Sequence, residues 1–136
     1  MIIDLSKIKT EINIEVRTYD IDVAGHVNNI VFIRWLEDLR NKLFSTICSV
    51  EKLLANNLYL VVTSSEVKYK KQIKLSDNPI GTMFLETISH GVFTLKAQIK
   101  VKNTIVFYAT QKCVLMNLST GKMFSGKISD VIPGLK

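Results

Sequence analysis

The sequence predicts an α+β fold in which an antiparallel sheet curves around one long central helix. Three observations predict it. Residues 27–47 repeat apolar side chains at helical spacing and are apolar almost all round in their first two turns, the mark of a helix buried on several sides. Most of the chain after residue 57 reads as strands joined by short links, which makes neighbouring strands antiparallel. Only one long helix is available to cover the sheet, so the sheet must wrap around it.

Taken in order, residues 11–17 alternate, with Ile12, Ile14 and Val16 on one side and Asn13, Glu15 and Arg17 on the other, which predicts a half-buried strand. Residues 18–26, TYDIDVAGH, hold two aspartates and a glycine and read as a loop. Val27, Val31, Leu36, Leu39, Leu43 and Ile47 set the helical repeat. Asp38 stands four residues from both Arg34 and Lys42, where helical neighbours meet. Val50–Asn57 reads as a short helical turn and loop. Leu58–Lys70 and Thr82–Ile88 are predicted strands. Phe93, Leu95, Ala97, Ile99 and Val101 alternate with Thr94, Lys96, Gln98, Lys100 and Lys102, the cleanest period-two pattern in the chain. His90-Gly91 and Asn103-Thr104 read as turns, Ile105–Asn117 as the last long strand, and the tail as a brief helical turn near Ser129.

Nothing in the 136 residues resembles a linker, a repeat or a low-complexity segment, so one domain over 1–136 is expected. Hydrophobic residues make up 47% and charged residues 22%, which suits a packed globule and argues against disorder. No apolar run approaches the roughly 18 residues of a membrane span. The N-terminus, with Asp4 and no basic region before an apolar core, does not read as a secretory signal, and the cytoplasm is the default location. Cys48 and Cys113 are far apart, and only His26 and His90 exist besides, so a structural metal site is not expected. Cys113 falls in an apolar strand pattern and is expected as a buried thiol. The formal net charge of +6 favours anionic partners without choosing among them.

One stretch carries chemistry: Tyr19-Asp20-Ile21-Asp22-Val23-Ala24-Gly25-His26-Val27-Asn28-Asn29. It sets two carboxylates, a glycine, a histidine and two asparagines directly before the helix. A helix N-terminus presents free N–H groups and positive dipole charge, which can stabilise an oxyanion at a thioester carbonyl. An adjacent carboxylate can attack that carbonyl or activate water, and the histidine can move protons or position the substrate. The plain structural alternatives are Asn28 or Asn29 as helix caps, Asp20 and Asp22 as turn residues bonding their own backbone, and His26 as a satisfied polar residue. Spacing alone favours these alternatives.

The run YDIDVAGHVNNIVFIRWLEDLR resembles the signature of the 4-hydroxybenzoyl-CoA thioesterase family and the related acyl-ACP thioesterases. The resemblance rests on Asp20, Asp22, Gly25, His26, Val27, Asn28, Asn29, Trp35, Glu37 and Arg40. It extends more weakly through Glu66–Lys71, Thr110–Thr120 and Ile132-Pro133, nearly end to end. It implies a hotdog fold, paired into a homodimer or homotetramer, with the active site between subunits. It further implies Asp22 as nucleophile or general base, a backbone N–H near Asn29 as oxyanion donor, and a catalytic part for His26. Gly25, Asn28, Phe32, Trp35, Lys70 and Lys71 are then expected around the substrate, the two lysines on the phosphates of coenzyme A. The chain departs from the family pattern at Ala24, where the acyl-ACP branch has asparagine, and at Asn29, where some acyl-CoA members have histidine. Phe32 replaces a usual tyrosine and Gln72 a usual proline. The Asp22 assignment survives these departures; the identity of its helper does not.

The expected activity is therefore hydrolysis of an acyl-CoA ester, with no cofactor and no metal. Acyl carrier protein is the alternative carrier. A hotdog dehydratase or hydratase and a non-catalytic acyl-binding module are the competing classes. Neither a nucleic-acid nor a membrane partner is expected, because the lysines alternate with apolar residues across strands and no basic stripe is interleaved with aromatics.

Overall fold

The computed structural model describes residues 5–133 and residue 135. The expectation drawn from the first four residues lies outside the described residues. A 3-10 turn at Leu5–Lys7 leads into strand β1, Lys9–Asn13. Helix α1 spans Asn29–Ser45 and the short α2 Val50–Ala55. Strands β2, Leu58–Tyr69, β3, Ile80–Ser89, β4, Val92–Val101, and β5, Thr104–Asn117, follow. A two-residue β6, Lys122–Met123, and a helical turn α3, Ile128–Val131, close the chain. All pairings are antiparallel, in the order β1-β3-β4-β5-β2, with β6 beside β5.

The predicted architecture is present: a curled antiparallel sheet with α1 on its inner face. Most boundaries fall within two residues of those read in the sequence, and two of the differences have a clear cause. The helix starts at Asn29 rather than Val27, because Val27 bridges back to Ile21 and Asn28 takes the cap. The first strand starts earlier and stops at Asn13, because its partner β3 begins at Ile80 and leaves Ile14 only the carbonyl of Pro79 to bond, at 2.9 Å. Ile14 and Val16 nonetheless keep the inward-facing rhythm.

The hairpin turns close with paired residues in the left-handed region. His90 and Gly91 have φ 52° and 77°, and Lys102 and Asn103 have φ 51° and 65°, the signature of tight turns matched to strand twist. Register shifts at Val62/Ser64, Leu85/Thr87 and Ile99/Lys100 bend three strands, and bulges of this kind increase local twist. The curl lets the sheet cover one broad face of α1; Ile30 and Ile33 on the other face are exposed, so the helix is amphipathic rather than buried on several sides as its apolar first turns predict. Val31, Phe32, Trp35, Leu36, Leu39, Leu43 and Phe44 of α1 are buried against Met83, Leu85, Phe93, Leu95, Ile99, Phe107 and Leu115 of the strands. Gly81 permits the closest approach. A Cβ there would lie 3.2 Å from both Ile14 Cδ1 and Leu39 Cδ1.

A polar thread crosses this core. Arg40 donates to Gln111 Oε1 at 3.0 Å, Gln111 Nε2 donates to Ser65 Oγ at 3.1 Å, and Glu37 pairs with Arg40 at 3.5 Å. Gln111 is buried, and no buried polar side-chain atom among the described residues lacks a partner. The thread therefore ties α1 to β5 and β2 without the cost of an unsatisfied group.

Cys113 is fully enclosed on β5, as expected, and Cys48 is buried too. Burial pushes the Cys113 thiol up from 9.0 to about 11, with the Arg40 charge opposing part of the rise. In the unfolded chain the thiol ionises first. Its contribution to stability is thus complete below about pH 9 and fades as pH rises towards 11. Cys113→Ala should lose stability less steeply than the native chain across that window, by up to roughly 2–3 kcal/mol. Denaturant midpoints at closely spaced pH values would show it, and parallel curves would contradict it.

Candidate active site

The loop before α1 gives its two aspartates different work. Thr18–Asp20 form a 3-10 turn in which Asp20 Oδ2 accepts the Arg17 N–H at 2.8 Å, and Asp20 is buried. The chain then folds back on itself. Asp22 N–H donates to His26 O at 2.9 Å and Gly25 N–H donates to Asp22 O at 3.0 Å. Gly25 has φ 85°, a conformation that costs a residue with a Cβ. Asp22 Oδ1 accepts the Ala24 N–H at 2.9 Å. Asp20 is committed to folding, while Asp22 is exposed at the turn with Val23 fully exposed beside it.

Helix α1 begins where this turn ends. Asn28 is its cap: Oδ1 accepts the Ile30 N–H at 3.1 Å and its carbonyl accepts the Val31 N–H at 2.9 Å. Asn28 N–H donates to Asp20 O at 2.9 Å, and Val27 N–H to Ile73 O at 2.8 Å. One amide of the first turn is left over. Among the described residues the Asn29 N–H has no hydrogen-bond partner, and it sits at the positive end of a 17-residue helix.

Asn29 borders a groove of about 560 Å³ that it and Phe32 share with Tyr69 at the end of β2 and with Lys70, Lys71 and Gln72 just after it. Two contacts of Tyr69 hold the two segments together, and β5 supports them from behind. Tyr69 donates its hydroxyl to Asn29 O at 3.1 Å. Its ring meets Phe32 edge-on at 5.2 Å and Phe107 at 5.3 Å. The N–H groups of Lys70 and Lys71 share the Val106 carbonyl at 2.8 and 3.1 Å. Partial burial raises the Tyr69 pKa, so the phenol stays a neutral donor. Both lysine side chains are exposed, and Lys70 Nζ lies 5.3 Å from the Tyr108 ring centre. The groove thus brings together the first residue of the helix, two lysine residues, of which Lys70 turns its ammonium towards Tyr108, and an aromatic floor, a set able to hold an anion or a polarised carbonyl.

Of the residues singled out from the sequence, Asn29, Phe32, Lys70 and Lys71 come together in this groove. Asp22 and His26 stand on the adjoining turn and do not border it within one chain, and no hydrogen bond joins the Asp22 carboxylate to the His26 ring among the described residues. Gly25 serves the turn and Asn28 the cap. Trp35 is buried, edge-on to Phe32 at 5.2 Å. Tyr69 and Gln72 were missed. The signal for Tyr69 was an aromatic residue ending a period-two strand directly before two lysines. A further pocket of about 330 Å³ lies between α1, α2 and β2, with Phe44, Cys48, Leu53 and Leu60 on its walls. No group of three or more potential metal ligands occurs among the described residues, and no helix among them is long and apolar enough to cross a membrane.

Comparison with known proteins bears on this site. Residues 16–133 match the thioesterase-like superfamily. The long-chain acyl-CoA thioesterase FadM of Escherichia coli is 28% identical over 111 residues, covering 80% of this chain and 84% of that protein. The crystal structure of YbaW, a probable thioesterase from Escherichia coli, superposes with a TM-score of 0.77 at 26% identity, over 90% of this chain and 94% of that one. A thioesterase from Thermus thermophilus, solved with coenzyme A and zinc, shares the fold at a TM-score of 0.75 and 22% identity, over 90% and 96% of the two chains.

The Tyr69 hydroxyl is the side-chain tie from β2 to the first turn of α1. Tyr69→Phe keeps the ring packing and removes that hydrogen bond, so a loss of about 1 kcal/mol is expected in urea unfolding. A midpoint identical to that of the native chain would show that the bond contributes nothing.

Proposed function

The chain belongs to the thioesterase-like superfamily, and on that premise we propose that it is a single-domain enzyme hydrolysing acyl-CoA esters to free acid and coenzyme A. The observation that carries the proposal is Asn29, whose N–H has no partner among the described residues, at the start of α1 and lining a groove that Lys70 and Lys71 also line. A thioester carbonyl set against that amide would gain a donor where negative charge develops. The lysines, as mobile point charges, suit the phosphates of coenzyme A. The relative named as a long-chain acyl-CoA thioesterase supports the same carrier.

Asp22 is the carboxylate we assign to the reaction. Asp20 is engaged by the Arg17 N–H, whereas Asp22 is exposed and has one oxygen outside any hydrogen bond among the described residues. As nucleophile it would displace the coenzyme A thiolate and leave an anhydride for water to open. As general base it would take a proton from the water that attacks the carbonyl carbon. In either route the C–S bond breaks, the oxyanion rests on Asn29 N–H, and the thiolate leaves to be protonated. His26, half-buried two residues before the cap, is the group on the same turn able to carry that proton.

A carboxylate as open as Asp22 is shielded from water only if something covers it. The 12-residue β2 is an edge of the sheet with β5 on one side and no strand on the other among the described residues. Long free edges recruit partners. A second copy paired along β2 would form a homodimer and bring a cover to the turn of the first. We place this dimer in the cytoplasm.

Free thiol released from short, long and aromatic acyl-CoA esters tests the proposal, with native chain and Asp22→Asn side by side. The substitution keeps the shape and removes the charge, so turnover should drop at least about a hundredfold. Equal rates would remove Asp22 from the mechanism. Inactivity of the native chain on every ester would count against coenzyme A as the carrier and direct the assay to acyl carrier protein.

A further inference from the structure

The segment that follows β2 is clamped to the start of α1 at both ends. At one end the Tyr69 hydroxyl donates to Asn29 O at 3.1 Å. At the other, Ile73 O accepts the Val27 N–H at 2.8 Å, and both Ile73 and Val27 are buried. Lys70, Lys71 and Gln72 lie between the clamps. Lys70 turns its ammonium away, to 5.3 Å from the Tyr108 ring centre. Gln72 directly precedes the buried Ile73, is itself exposed, and lines the groove of about 560 Å³ together with Asn29. Helical N–H groups point towards the start of their helix. The Val27 clamp, with Gln72 beside it, is therefore on the side of Asn29 that its N–H faces.

Folding leaves the hydrogen-bonding capacity of Gln72 unused. Neither its side-chain amide nor its backbone N–H has a partner among the described residues. The other polar side chains of the groove divide by chemistry. The lysine ammonium groups can only donate, and the Tyr69 hydroxyl is held on Asn29 O. A side-chain amide both donates and accepts, so Gln72 gives the groove an uncharged acceptor near the N–H assigned to the reacting carbonyl. The Asn29 side chain is the other amide on the groove wall. Proline at position 72, the usual residue of the family that the motif resembles, offers neither a donor nor an acceptor in its side chain.

The substrate class proposed above carries a group that matches. In a coenzyme A ester the sulfur is followed by a short ethylene link and then by a secondary amide. With the thioester oxygen on Asn29 N–H, this amide is the first polar group of the arm beyond the sulfur. Its N–H needs an acceptor once the groove displaces water from it. A trans amide points its N–H and its carbonyl in opposite directions, so one side chain takes one of the two. We propose that Gln72 is a substrate-binding residue whose Oε1 accepts the amide N–H nearest the sulfur, and that it selects thioesters of N-acylated cysteamine over thioesters that lack this amide. The inference rests on the acyl-thioester reading. It does not depend on the phosphates, because the arm of acyl carrier protein has the same amide.

Two small thioesters of one acyl group test this on the full chain: the N-acetylcysteamine ester, and the O-acetyl-2-mercaptoethanol ester, in which an oxygen replaces the amide N–H. Their kcat/KM values are measured for the native chain, Gln72→Met and Asn29→Ala, with the acyl-CoA ester alongside. Gln72→Met keeps the length of the side chain and removes the acceptor. Because Gln72 is exposed and unbonded, the variant should fold. The preference for the amide over the ester should be at least about fivefold greater in the native chain than in Gln72→Met. The intrinsic reactivity of the two thioesters is the same for every chain and cancels in this comparison. Activity on acyl-CoA, with equal amide preference in the native chain and Gln72→Met, would overturn the inference and leave the acyl-CoA reading standing. So would a preference that Asn29→Ala loses and Gln72→Met keeps. A native chain inactive on all three thioesters would overturn both.

Discussion

Helix α1 carries a broad apolar face that has to be taken out of water. Val31, Phe32, Trp35, Leu36, Leu39, Leu43 and Phe44 are all buried. The chain meets this demand by bending the sheet at three register shifts and letting α1 approach β3 over Gly81. One face of the helix is packed in the core, while Asn28, Asn29 and Ile30 at its start stay exposed, so its N-terminal dipole opens to the surface. The packed helix face and the curl of the sheet are consequences of one packing requirement.

The chemistry then depends on which polar groups are left free after folding has used the rest. Asp20 closes the 3-10 turn and receives the Asn28 N–H on its carbonyl. Asn28 satisfies Ile30 and Val31. Among the described residues, Asn29 N–H and one oxygen of the Asp22 carboxylate are left, a donor and an acceptor seven residues apart on either side of a tight turn. Val27 bonded to Ile73, and Tyr69 bonded to Asn29, then draw the end of β2 alongside, which is why two lysines about 40 positions later share a groove with that amide.

Local patterns made much of this readable in the sequence. The alternation of Phe93–Lys102 appears as β4 with its inward side chains buried, and the His90-Gly91 and Asn103 turns fall where expected. The helix was legible from its apolar repeat; its first residue was not, because the bridge from Val27 to Ile21 is a contact between turn residues that no periodicity encodes. The motif pointed to Asn29, Lys70 and Lys71. It did not point to Tyr69, whose role comes from a bond across 40 residues to Asn29.

The central claim is that the unpartnered amide of Asn29 stabilises the reacting carbonyl. Proline at this position removes that N–H and little else. The first helical residue tolerates proline, and Asn28, at φ −63° and ψ 138°, already has the backbone that precedes one. The most direct measurement is acyl-CoA hydrolysis by Asn29→Pro against Asn29→Ala, which loses the side chain and keeps the N–H. Asn29→Pro should fold and hydrolyse about 100- to 1000-fold more slowly, the usual loss for one oxyanion donor, while Asn29→Ala stays close to the native rate. Native turnover by a folded Asn29→Pro would contradict the claim.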